Sequence, residues 1–124
     1  MDFVAFVTLL LLAQYLFFTG MTGKARDELG IKAPATAGDE VFERILRVQL
    51  NTLEQLLVTL PAMWLCAHYF NASFAGIMGL VFFTGRVLYR KAYIADPTTR
   101  ATGMIMGFLA NVLLLISAAF GVIF

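Results

Sequence analysis

The chain has 124 residues, of which 60% are hydrophobic, with 9 Lys/Arg against 8 Asp/Glu and a net charge of +1. The charged fraction of 14% is well under the roughly one quarter of soluble domains, the mean hydropathy is +0.83, and the balance of charge excludes both a disordered chain and a nucleic-acid binder, which needs a basic patch. One Cys and one His exclude a disulfide framework and Cys- or His-rich metal sites, so no metal cofactor is expected.

What is left is an all-α integral membrane protein. At about 20 residues per crossing, the length allows a four-helix bundle with short connections. The expected spans are approximately 2–23, 40–68, 73–94 and 97–123, in one domain.

Residues 3–23 carry no charge. The leading side chain is Asp2 rather than a Lys or Arg, and no small-residue cleavage site follows, so the segment reads as a retained span rather than a signal peptide. Pro34, Thr36 and Gly38 mark the first connection, and Asp39 suits the N-cap of the second helix. Residues 55–85 are again uncharged, too long for one helix and too short for two. A turn at His68–Ser73, with Asn71 and Ser73 as turn formers, divides the stretch. The second and third helices then extend into charged sequence at their far ends. Pro61 removes a hydrogen bond inside the second helix, where a kink is expected. Asp96-Pro97 has the form of a cap followed by Pro at the first helical position, which starts the fourth span near 97.

Every Lys and Arg lies in or beside the first or third connection: Lys24, Arg26, Lys32, Arg44, Arg47, Arg86, Arg90, Lys91 and Arg100. The positive-inside rule therefore predicts that these two connections are cytoplasmic and both termini lie on the opposite side. Every acid except Asp2 is at the same end.

Two polar patterns need an explanation. On the second helix, Glu43, Arg47, Asn51 and Glu54 follow one another at steps of four, four and three, which makes a single stripe. Glu54 reaches hydrocarbon depth, where a lone carboxylate costs roughly 2.5–3.5 kcal/mol even on insertion scales. It is therefore expected to face the bundle interior with a partner. On the third helix Arg86, Tyr89, Arg90 and Tyr93 are placed on one face. Arg26 and Arg100 bring the other two helices to the same level.

Two explanations stay open on spacing alone. Basic residues near helix ends snorkel to headgroups, Tyr belongs to interfacial belts, and one ion pair pins the bundle. Alternatively, several Arg, two Tyr, an Asn and a Glu at one depth bind a ligand with more than one carboxylate and an ammonium group.

Cys66 has no charged neighbour to activate it and reads as packing, His68 as interfacial. Gly103-x-x-x-Gly107 argues for close helix contact without saying whether that contact is within or between chains.

The run Phe42-Glu43-Arg44-x-x-Arg47-x-Gln49-x-Asn51-x-x-Glu54 resembles the signature of the MAPEG family (membrane-associated proteins in eicosanoid and glutathione metabolism). The likeness extends over nearly the whole chain, through Gly23-Lys-Ala-Arg26 to Arg86-x-x-Tyr89-x-x-x-Tyr93 and Arg100. It implies four-helix subunits assembled as a homotrimer, with glutathione as co-substrate held between neighbours near the cytoplasmic face. The second substrate is a lipophilic small molecule that arrives through membrane lipid.

By the same resemblance Arg47, Asn51 and Glu54 are glutathione-binding positions, with Gln49 in support. Tyr89 and Tyr93 contact the peptide, Arg26 reaches a carboxylate, and Arg100 is the catalytic group that activates the thiol. The implied function is a membrane-bound glutathione transferase acting on hydrophobic electrophiles, with peroxidase activity as a further expectation. Gln55 stands where leukotriene-forming members carry a ligand-contacting tyrosine, so eicosanoid specificity is not implied. The short loops are similar to those of compact bacterial members, which implies an inner-membrane location.

Two other classes remain alternatives: a non-catalytic lipid- or glutathione-binding member, and a small multidrug exporter. The exporter is disfavoured because the charge bias is one-sided and the polar groups lie at one face rather than the midplane.

Overall fold

A computed structural model describes residues 1–124. Four helices follow in order: α1 Asp2–Leu29, α2 Glu40–Tyr69, α3 Ala72–Ala95 and α4 Ala101–Ile123, with a single 3-10 turn at Pro97–Thr99 before α4. The molecule is an all-helical membrane bundle. α1, α3 and α4 are long and apolar enough to cross a membrane by length and composition. α2 has the length, 30 residues or about 45 Å at 1.5 Å per residue. Its first half carries the polar stripe and so lacks the uniform apolar character of the other three.

The caps explain where the helices begin and end. Gly30 takes the left-handed conformation (φ 71°) and closes α1, with the Ile31 N–H returning to the Arg26 carbonyl at 3.0 Å. α1 therefore runs beyond the expected limit at 23. Its added residues are good helix formers, with Lys24 and Glu28 one turn apart at 3.8 Å. Asp39 accepts from the Phe42 N–H at 3.0 Å and starts α2.

The α2–α3 turn is reduced to Phe70 and Asn71, and the Asn71 side chain caps α3 by accepting from the Phe74 N–H at 2.8 Å. Asp96 accepts from both the backbone N–H and the hydroxyl of Thr98, at 3.0 and 2.9 Å. These bonds hold its carboxyl below the usual range. The fourth helix starts at Ala101 rather than near 97. The Thr99 hydroxyl donates back to the Asp96 carbonyl at 2.8 Å, and such local bonds compete with continuous helix.

The main core joins all four helices through Val4, Val7 and Leu11 of α1, Leu56, Met63 and Cys66 of α2, Phe82 of α3 and Leu114 of α4. Cys66 is fully buried there, and packing accounts for it. A smaller cluster of Phe18, Val48 and Tyr89 sits at the basic end, with Tyr93 and Ile94 against it.

α3 and α4 meet along a seam of small residues. A methyl group on Gly103 would lie 2.5 Å from the Gly85 carbonyl oxygen and closer still to the Tyr89 nitrogen. The Gly103-x-x-x-Gly107 motif is thus occupied within the chain, where the backbones of α3 and α4 touch. One polar link crosses the interior. The Thr59 hydroxyl donates to Asn111 Oδ1 at 2.6 Å, and Asn111 Nδ2 donates to Gln55 Oε1 at 3.1 Å.

Candidate functional site

The stripe on α2 forms as its spacing requires, but it points out of the bundle. Val48, Thr52, Leu56, Thr59 and Met63 take the interior face of α2. Arg47 and Glu54 are left on the subunit surface, where Arg47 Nη1 and Glu54 Oε1 pair at 3.1 Å with side chains 50% and 56% exposed. Glu54 therefore does not face the bundle interior, contrary to the expectation from its depth. An apolar face was available for the core, and the carboxylate found its partner two turns back along its own helix.

Asn51, between them, turns partly inward. Its Oδ1 accepts from Arg86 Nη2 of α3 at 2.8 Å. Arg86 is only 2% exposed and lies over the Tyr89 ring at 4.2 Å. Its Nε has no partner. Tyr89 is buried, and its ring stacks on Tyr93 with centroids 5.4 Å apart and planes 21° from parallel. Tyr89 is held from behind by the Gly103 backbone of α4. A continuous chain of contacts therefore runs Asn51–Arg86–Tyr89–Tyr93, beside the exposed Arg47–Glu54 pair.

Three other expected residues stand apart. Gln49, expected in support of the stripe, faces α1 instead and donates from Nε2 to the Tyr15 hydroxyl at 3.4 Å. Arg26 donates to the Ala35 carbonyl at 2.8 Å and lies over the Phe42 ring at 4.8 Å. Arg100 is exposed and donates to the Pro97 carbonyl of its own turn at 2.8 Å. None of the three shares a hydrogen bond or ion pair with the Arg47–Tyr93 set.

Arg90 also departs from expectation. Instead of joining Arg86 and the tyrosines, its guanidinium lies over the rings of Phe18 and Phe17 on α1, at 5.4 and 6.0 Å. Arg86 is the residue that sequence reasoning undervalued. Its spacing places it on the polar face and the family resemblance does not put it among the binding positions, although it is the first charge after the uncharged run and follows Gly85.

Chemically, the set offers separate handles. A guanidinium and a carboxylate face outward and are only half covered. Beside them lies a buried guanidinium with an unused N–H, set over the Tyr89 ring, on which Tyr93 stacks in turn. Guanidinium forks grip carboxylates, a carboxylate receives an ammonium group, and phenols donate to carbonyl or carboxylate oxygens.

A membrane helical bundle with its polar groups gathered at one end is the class that fold and site define. The MAPEG family model matches residues 4–120, and the chain belongs to that family. It is 40% identical over 119 residues to an uncharacterized protein of Synechocystis, covering 96% of this chain and 87% of that one. It is 36% identical over 114 residues to human microsomal glutathione S-transferase 2, covering 90% of this chain and 78% of the relative. With bovine leukotriene C4 synthase the identity is 30% over 120 residues, covering 97% and 80%.

Proposed function

We propose that this protein is a membrane-bound glutathione transferase that conjugates the glutathione thiolate to hydrophobic electrophiles and reduces hydroperoxides by the same thiolate. The observation that carries the reading is the half-exposed Arg47–Glu54 pair beside the Asn51–Arg86–Tyr89–Tyr93 chain, in which Arg86 and Tyr89 are buried and Asn51 and Tyr93 partly so. Glutathione has two carboxylates, one amine and one thiol, which match two guanidinium groups and a carboxylate. The names of the transferase and synthase relatives support the same chemistry.

In this reading Arg47, Asn51 and Glu54 bind the peptide, with Arg86 added to them, and Tyr89 and Tyr93 line its path. The outward face of the stripe suits cover by a second copy. A homotrimer would bring Arg26 and Gln49 of one subunit to the stripe of the next, which accounts for their separation within one chain. The basic end is the cytoplasmic end, where glutathione enters from water while the electrophile arrives from lipid.

Arg100 is the catalytic group. A free thiol with a pKa of about 8.5 is only a few per cent ionised at neutral pH. A guanidinium beside the sulfur favours the thiolate. Attack on the electrophilic carbon forms the C–S bond and expels the leaving group with its electron pair. Attack on a peroxide oxygen breaks the O–O bond, releases the alcohol after protonation and leaves a glutathione sulfenic acid that a second glutathione converts to disulfide and water. Arg100 is held by one surface bond to Pro97, so little must be broken for it to turn toward a bound thiol.

The test is turnover of 1-chloro-2,4-dinitrobenzene with glutathione by the purified protein. Arg100→Ala is expected to lower the rate about 100-fold with glutathione binding retained in calorimetry. Arg47→Ala is expected to weaken binding itself. Binding without turnover of any electrophile or peroxide would leave a non-catalytic binding protein, and no binding would remove both readings.

A further inference from the structure

Arg86 and Arg90 are one helical turn apart on α3 yet serve opposite sides. Arg86 reaches Asn51 of α2, while Arg90 lies over Phe17 and Phe18 of α1. On that second side a cleft of about 540 Å³ runs between α1 and α3, walled by Leu10, Ala13, Phe17, Phe18, Phe83 and Val87. Arg90 and Lys91 stand at its basic end. Neither has an ion-pair partner, since the three ion pairs of the chain use Lys24, Arg44 and Arg47.

Gln14 also lines the cleft. It is 6% exposed, donates from Nε2 to the Phe83 carbonyl at 3.0 Å, and has no partner for its buried Oε1. Phe17 is itself 59% exposed, so the cleft opens to the outer surface between residues 10–18 of α1 and 83–91 of α3, two helices that are each apolar enough to cross a membrane.

We propose that this α1–α3 cleft binds one anionic phospholipid, an acyl chain lying between Phe17, Phe83 and Val87 and the headgroup phosphate on Arg90 and Lys91. The cleft has the size of a small-molecule site. Its apolar wall is of no use to a soluble anion, and its cations are of no use to a zwitterionic lipid whose choline cancels the attraction. A guanidinium fork takes two phosphate oxygens while an ammonium adds a point charge. The aromatic faces under Arg90 hold its guanidinium in place before the lipid arrives. Basic pockets between membrane helices select anionic headgroups for this reason. The site lies across α3 from the Asn51–Arg86 contact and does not depend on the glutathione reading.

The experiment is native mass spectrometry of the full chain in detergent, titrated with dioleoylphosphatidylglycerol or dioleoylphosphatidylcholine. One phosphatidylglycerol per chain is expected, retained about 30-fold better than phosphatidylcholine at two basic contacts. Arg90→Gln with Lys91→Gln is expected to erase that preference, and Lys24→Gln with Lys32→Gln, the same charge loss elsewhere at this end, to keep it. Ala13→Trp, which fills the cleft and leaves the cations, is expected to lower retention with helical content unchanged by circular dichroism.

Equal retention of the two lipids overturns the proposal. So does equal loss in both double variants, which would mean a diffuse surface field, or full retention in the Ala13→Trp variant. Competition by glycerol phosphate at the lipid's own concentration would show a free-anion site instead. A disulfide between copies through Ala13→Cys in a Cys66→Ala background would show that a neighbouring subunit fills the cleft.

Discussion

The two polar clusters of this bundle differ in what they leave over. In the Gln55–Thr59–Asn111 link, each bond is made between α2 and α4 or within α2, and Thr59 and Asn111 are buried. Asn111 uses both its donor and its acceptor inside the chain. In the Arg47–Tyr93 set the ion pair is half exposed, Arg86 keeps an unpaired Nε, and the tyrosine rings stack on each other. Buried polar groups must be satisfied. A cluster that satisfies itself holds helices together, whereas one that retains capacity at an open face has donors left for the ligand that the proposed function assigns to it.

That contrast predicts opposite responses to substitution. Arg86→Met is expected to weaken glutathione binding about 10- to 150-fold, since hydrogen bonds to charged groups are worth about 1.5–3 kcal/mol. The thermal midpoint in detergent should hold or rise, because a buried charge without an acid partner is removed and a similar volume of apolar side chain replaces it. Calorimetry alongside a melting curve reads both. A lower midpoint with unchanged binding would make Arg86 structural and reverse the assignment.

Gly103→Ala is expected to move both readouts. The added methyl meets the Gly85 carbonyl and the Tyr89 backbone, where overpacking costs about 1–3 kcal/mol. The displaced Tyr89 should raise the KM for glutathione more than it lowers kcat. Asn111→Leu is expected to cost about 1 kcal/mol of stability, in the range of hydrogen bonds between membrane helices, with glutathione affinity unchanged. A loss of affinity there would show the two clusters to be one.

The smallest effect belongs to the third connection. The Asp96 carboxyl is held below its ordinary range by the Thr98 N–H and hydroxyl. The cap is therefore complete above the unfolded pKa of about 3.9 and is lost as pH falls through the lowered folded value. Amide exchange at Thr98 and Thr99 should stay protected at neutral and mildly acidic pH and speed up only below the ordinary Asp range. Asp96→Asn should flatten that dependence.

Much of this was legible in the sequence, for identifiable reasons. Charge-free runs located α1, α4 and the α2–α3 pair, because hydrocarbon tolerates few charges. Asp39 marked a helix start through cap chemistry that is local in sequence, and Asn71, expected as a turn former, also caps α3. The steps of four, four and three gathered Glu43, Arg47, Asn51 and Glu54 on one side of α2 because helical period alone fixes it.

The rest depended on partners distant along the chain. Depth alone places Glu54 inside, but the competing apolar face of Val48, Leu56 and Met63 takes the interior instead. Arg86 and Arg90 were grouped because they are neighbours by helical spacing. They part because long side chains reach to either flank of a helix, and α2 offers an amide where α1 offers aromatic rings. Gly103-x-x-x-Gly107 announced a close contact without naming its partner, and only the packing of α4 on α3 assigned it to Gly85 and Tyr89.

By itself, then, the sequence determined the class of molecule, the order of its helices and the end at which its polar groups gather. Composition and period are properties of the chain alone, which is why they could do so. Tertiary structure decided which of those groups are satisfied and which remain open, because satisfaction belongs to pairs of residues that only packing brings together.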